Sequence, residues 1–263
     1  MSDPGSEPET LAEGTLISHL LELRDRLMRA VVAVIVVAVP CTVFREEIFE
    51  FIAHPLMERL PAGASMIATN VIAPFMTPFK LAIIAALFIA MPYVLYQAWA
   101  FVAPGLYRRE KRFAVPLLLS SIVLFYAGVA FAYFVVFPVA FTFFTAAAPE
   151  GVLMMTDINS YLDFVVLLFF AFGIAFEIPI ATVLLVVTGL VRADSLAGNR
   201  GYVLLGIFII AAVMTPPDAI SQCIMAIPMY LLYESGIIAS RLILRARVKR
   251  DAQEQATQKN AGA

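Results

Sequence analysis

Three carboxylates in unusual surroundings offer this chain's clearest chemistry. Glu177 lies in Phe172-Gly173-Ile174-Ala175-Phe176-Glu177-Ile178-Pro179, near the middle of a long apolar run. An ionised carboxylate at the centre of a bilayer costs about 2.5–3.5 kcal/mol on insertion scales. Such a side chain must face the protein interior or a water-filled cavity, and two uses fit it. It is a polar point in a transport path, or a hydrogen-bonding strut between helices. Glu22 and Glu110 are acids set among bases, in His19-Leu20-Leu21-Glu22-Leu23-Arg24 and Leu106-Tyr107-Arg108-Arg109-Glu110-Lys111-Arg112. Glu22 is spaced to pair with Arg26 one helical turn on, and Glu110 to neutralise its neighbours. Exposed pairs of this kind contribute about 0–1 kcal/mol.

Other chemistries lack their parts. No Gly-x-x-x-x-Gly-Lys run is present, and no nucleophile lies beside a base, so the chain reads as a non-enzyme with no cofactor. His19 and His54 are far apart, and no metal-type cluster occurs. Cys41 and Cys223 sit in apolar runs and read as small apolar residues rather than a disulfide pair. A net charge of −2 gives no reason to expect nucleic acid. Any work must be powered from elsewhere, most simply by the gradient across a membrane.

The elements that carry these residues are membrane helices. The chain is 62% hydrophobic and only 14% charged, against about 25% charged in soluble proteins. The apolar excess must face lipid. Six segments stand out, roughly Ala30–Phe44, Phe75–Val102, Phe113–Phe137, Tyr161–Leu190, Tyr202–Met214 and Ala219–Ile238. The expected fold is all-α and polytopic, with six transmembrane helices. The fifth and sixth are short, joined at Thr215-Pro216-Pro217-Asp218 as a hairpin or a buried re-entrant pair. Pro78, Pro92, Pro116, Pro179 and Pro228 should bend their helices and favour a concave bundle. After the first span, Ile48, Phe49, Phe51, Ile52, Leu56, Met57 and Leu60 recur at helical spacing. They suggest an amphipathic interfacial helix, broken near His54-Pro55.

Lys and Arg set the orientation. Fifteen fall on the side of both termini and three on the other, which places both ends in the cytoplasm. No small-x-small cleavage pattern follows the first span, so that span is read as retained. The expected organisation is a polar tail over 1–15, a six-helix membrane domain over 16–240, and a basic, then disordered cytoplasmic tail over 241–263.

Several motifs together resemble the TatC family. They are His19-Leu20-Leu21-Glu22-Leu23-Arg24, Trp99-Ala100-Phe101-Val102-Ala103-Pro104-Gly105-Leu106-Tyr107, Phe131-Ala132-Tyr133-Phe134, Ala171-Phe172-Gly173 with Phe176-Glu177-Ile178-Pro179, and Met214-Thr215-Pro216-Pro217-Asp218. They stand in the family's order from residue 16 to about 240. The resemblance implies the receptor of a twin-arginine translocase in the bacterial inner membrane. It would bind twin-arginine signal peptides of folded cargo at the cytoplasmic face. It would assemble as a homo-oligomer with single-span TatA/TatB-type subunits for export driven by the proton-motive force. By resemblance, Glu22 and Glu110, with Arg24, Phe101 and Arg108, form the signal-peptide site, and Glu177 is the intramembrane polar site. Thr215, Gln222 and Asp218 would contact partner helices, and Pro55 would order the outer loop. Ala212 departs from the larger residue common in the family. Two rival readings are a secondary transporter coupled through Glu177 and an intramembrane enzyme. The first lacks a visible internal repeat, and the second lacks a catalytic set.

Overall fold

The computed structural model describes residues 7–57, 67–102, 114–147, 157–214 and 219–261. These residues are helical almost throughout, in two compact units. One comprises Met1–Ile52 with Asn70–Ala114, and the other Ala53–Thr69 with Val115–Ala263. Five helical stretches are long and apolar enough to cross a membrane: Ile17–Val43, Ala73–Val102, Val115–Phe143, Ile158–Val187 and Gln222–Ala246. A sixth apolar helix, Arg200–Val213, is shorter.

The first unit is built on α1 (Glu7–Val43) and α3 (Ala73–Val102), joined through α2 (Arg45–Met57). Ala82, Ala86 and Ala90 recur every four residues, making a stripe of small buried side chains on α3. Small residues let helix backbones approach closely, and dispersion contacts then hold the pair. Cys41 packs on Ala82 and Ala86, with Val37, Ala38 and Ile48 at the edge. His19 meets Phe101 at the other end, so the two helices run antiparallel.

Two expectations are corrected here. The apolar helical stretch that carries the first span starts at Ile17, not Ala30. Leu20, Leu21, Leu23, Leu27 and Met28 alternate with charges that hide the span from a simple apolar count, although one helix runs through them. The amphipathic helix is continuous from Arg45 to Met57, with no break at His54-Pro55. A single proline removes one backbone donor, which a helix near its end tolerates.

The second unit contains α4 (Ala114–Phe131), α5 (Phe137–Ala147), α6 (Ile158–Ala175), α7 (Ile178–Val187), α8 (Ala193–Gly198), α9 (Arg200–Met214) and α10 (Ala219–Ala261). A π-helical turn, Ala132–Val136, joins α4 to α5, and Phe137 N–H donates to Ala132 O, five residues back. Pro138 follows with no N–H of its own, and the widened turn makes room for its ring. Rings from three helical segments fill the interior: Phe131 lies 5.6 Å from Phe172, and Phe137 5.5 Å from Tyr161. Gly128 and Gly236 allow close approach. A Cβ on Gly128 would strike the Phe172 carbonyl, and one on Gly236 would lie 2.9 Å from Pro179 Cα.

α9 spans 15 residues, about 22 Å of helix, short of a hydrocarbon core of about 30 Å. Its shortness agrees with the sequence. The sixth helix is not short. Its apolar stretch reaches Ala246, and α10 runs on to Ala261 through the tail expected to be disordered from Arg250. Ala, Gln, Glu and Lys dominate that tail, and all favour helix. Arg200 on α9 donates Nε to Glu234 on α10 at 3.0 Å, and Tyr233 Oη donates to Leu196 O at 2.8 Å.

Asp157 caps α6 and holds a distant strand of chain. Oδ2 accepts from Ser160 N and Oγ, and Oδ1 from Thr69 N and Oγ, all at 2.8–3.1 Å. Ile158 N also donates to Ile67 O. The Ser160 amide first, then Thr69, hold the carboxyl down to about 2 from an ordinary 3.8. A depressed carboxylate stabilises above its unfolded value and loses that contribution as pH falls through its folded value. The clasp should therefore stay closed at pH 4 and open near pH 2. Amide hydrogen exchange at Thr69 and Ser160, corrected for intrinsic rates, measures this. Asp157→Asn should abolish the acid step, and an unchanged step would assign it to another group.

Candidate functional site

α1 presents His19, Glu22 and Arg26 at i, i+3 and i+7, on one helical face. The His19 ring stacks on Phe101 of α3, centroids 4.3 Å apart. Glu22 is half-exposed, and Arg26 donates Nε (2.9 Å) and Nη2 (2.6 Å) to its Oε1. The pairing foreseen from the i,i+4 spacing is therefore present. Glu22 lies 21 residues before Val43, about 32 Å along a helix. If Val43 marks one membrane boundary, Glu22 lies at the other, where a charge meets headgroups and water.

Arg24 points elsewhere. It is exposed and pairs with Asp25 at 2.8 Å. Gln97 lies one helical turn before Phe101 on α3, and the antiparallel register sets it level with residues 23–26 of α1. It is 5% exposed, and its Oε1 has no hydrogen-bond partner. Sequence reading passed over Gln97. An amide inside an apolar run was the available signal.

Glu177 belongs to the second unit, at the break between α6 and α7. Pro179 cannot donate to the Ala175 carbonyl, so the α-helix stops and restarts. Glu177 N instead donates to Ile174 O at 3.0 Å. The carboxylate stands ten residues from the end of its apolar stretch at Val187, about 15 Å along the helix. Ser121 of α4, fully buried, donates its hydroxyl to Glu177 Oε2. The second oxygen, Oε1, is buried without a partner. Ser121 was also missed. Its signal was a hydroxyl in Leu117-Leu118-Leu119-Ser120-Ser121-Ile122, but nothing local links it to a residue 56 positions on.

Glu110, Arg108, Thr215 and Asp218 lie outside the described residues. Gln222 is half-buried near the start of α10, Pro55 lies within α2, and Ala212 is exposed on α9. Cys41 and Cys223 are both free. Among the described residues no group of three His, Cys, Asp or Glu side chains is placed to hold a metal.

The family model described as "Sec-independent protein translocase protein (TatC)" matches residues 18–228. The chain belongs to the TatC family. The Azotobacter chroococcum protein of that name is 53% identical over 232 residues, covering 88% of this chain and 91% of the relative. The Escherichia coli K12 TatC is 51% identical over 226 residues, covering 86% and 88%. A crystal structure of "Twin Arginine Translocase Receptor- TatC" superposes with a TM-score of 0.76 at 36% identity, covering 85% of this chain and 98% of that one. The chain is thus a component of the Sec-independent protein translocase, a transport protein whose described residues include several helices long and apolar enough to cross a membrane.

Proposed function

We propose that this protein is the signal receptor of the translocase. It binds twin-arginine signal peptides at the cytoplasmic membrane surface of the bacterial inner membrane, with Glu22 and Glu110 each taking one guanidinium. Both termini face the cytoplasm, as the Lys and Arg distribution favours. Six spans, the short α9 among them, put both ends on one side. Single-span TatA/TatB-type subunits then join, and the proton-motive force drives folded cargo across. Glu177 lies on the transport path, and Thr215, Gln222 and Asp218 receive partner helices.

The observation that carries this reading is the surface built around Glu22. A half-exposed carboxylate stands on the same face of α1 as His19, one helical turn from the ring that stacks on Phe101. Planar rings and a carboxylate are together suited to guanidinium groups, which stack on one and fork onto the other. The secondary-transporter alternative gains no comparable observation. The test is photocrosslinking from positions 22 and 110 to peptides carrying Arg-Arg or Lys-Lys. Strong adducts with Arg-Arg and few with Lys-Lys are expected. Equal adducts with both peptides, or none with either, would overturn the assignment.

A further inference from the structure

Glu22 is already engaged in the unliganded protein. Arg26 donates two N–H groups to one oxygen, Oε1. The pair is partly withdrawn from water, with 22% of the Arg26 side chain and 37% of Glu22 exposed. The other nearby arginine on α1 behaves differently. Arg24 is 66% exposed and held by its sequence neighbour Asp25. One arginine therefore sits on the proposed receptor carboxylate, and it presents the same guanidinium that a twin-arginine peptide brings. Oε2 is left open, but a parallel two-bond fork needs both carboxylate oxygens. A peptide arginine can make that fork only if Arg26 leaves.

We infer that Arg26 is the resident occupant of Glu22 and sets the receptor's affinity by competing with the arriving signal arginine. The inference rests on the receptor reading above. Between captures, Arg26 keeps the carboxylate from standing unpaired at a half-buried site. On capture it is displaced, and its return helps the peptide leave. Arg26 touches the binding group without being consumed, so its loss should tighten binding, whereas damage to the site would weaken it.

The experiment measures the affinity of a labelled synthetic peptide, adjacent arginines followed by an apolar stretch, for the full chain in nanodiscs. Four forms are compared: parent, Arg26→Gln, Glu22→Gln and the double variant. Glutamine keeps the helical propensity and much of the length of arginine while removing its charge. Arg26→Gln should bind about three- to tenfold tighter, or about 0.7–1.4 kcal/mol. Glu22→Gln should bind more weakly than the parent. In the Glu22→Gln background, Arg26→Gln should change nothing, because the competition has lost its object.

The failures are distinguishable. If Glu22→Gln leaves affinity unchanged, the receptor reading falls and the inference falls with it. If Glu22→Gln weakens binding but Arg26→Gln does not tighten it, the inference alone is wrong. If Arg26→Gln tightens binding equally with and without Glu22, the effect is general charge repulsion, and displacement is wrong. Arg26→Lys keeps the charge but cannot place the paired Nε and Nη2 donors on Oε1, so it should fall between parent and Arg26→Gln. Parent-like binding by Arg26→Lys would overturn a competition set by the guanidinium.

Discussion

Glu177→Ala is expected to leave signal-peptide affinity within about twofold of the parent and to slow transport of folded cargo by about tenfold or more. The two effects separate because Glu177 and the proposed peptide carboxylate belong to different parts of the molecule. Glu22 is in the first compact unit, near the start of its apolar helical stretch; Glu177 is in the second, well inside a 30-residue apolar stretch. Ser121 satisfies only one of its oxygens, and the other is buried and unpaired. A pure strut would be expected to use its acceptors within the fold, because an unmet buried acceptor is costly. One left open suits a group that meets its second partner only during work. A strut-only role makes a different demand. Interhelical hydrogen bonds in membranes average about 0.6 kcal/mol and reach about 1.7. On that reading Glu177→Ala lowers thermal stability by that amount, and transport falls only as far as folded protein is lost. Transport into energised vesicles, normalised to folded protein, decides between them. Ser121→Ala should move transport in the same direction but less, with Ser121→Thr restoring it. Normalised transport at the parental rate in Glu177→Ala would remove Glu177 from the path.

Much of the fold is legible in the sequence because lipid imposes a strong rule. Apolar runs of bilayer length must be helices, since no water is present to satisfy an unpaired backbone. That rule locates the second, third and fourth spans closely. It fails at the first, where Glu22, Arg24, Asp25, Arg26 and Arg29 interrupt the apolar count while the helix continues beneath them. It fails again at α10, whose polar extension is held by propensity and not by lipid. Residue types exposed Glu177 as a charge in apolar surroundings and Glu22 as an acid among bases, whereas the receptor role of Glu22 came from the family resemblance. Their partners divide by sequence distance. Arg26 is visible at i+4, whereas Ser121 is paired with Glu177 only by the packing of α4 on α6. The break that presents Glu177 follows from Pro179, but the π turn before Pro138 does not. A proline shows that a donor is missing without showing how the chain adjusts.

Replacing both Glu22 and Glu110 by alanine should weaken twin-arginine peptide binding on the order of 30- to 700-fold. Each forked guanidinium–carboxylate pair at a partly dry surface is stronger than an exposed ion pair, and two contribute about 2–4 kcal/mol together. Arg26 occupies Glu22 in the unliganded state, so the measured loss at that position is the difference between two guanidinium partners. The Glu22 share should therefore lie at the low end. The loss should shrink as salt rises, because mobile ions screen charge pairs that water can reach. It should be small for a Lys-Lys peptide, whose point charges gain little from a fork geometry. The apolar stretch of the signal still partitions against the helices, so binding weakens without vanishing. Titration of Arg-Arg and Lys-Lys peptides onto the parent and the double variant at two salt concentrations measures all of this. An Arg-Arg affinity unchanged by the loss of both carboxylates would mean that the signal's positive charges are read by some other part of the translocase.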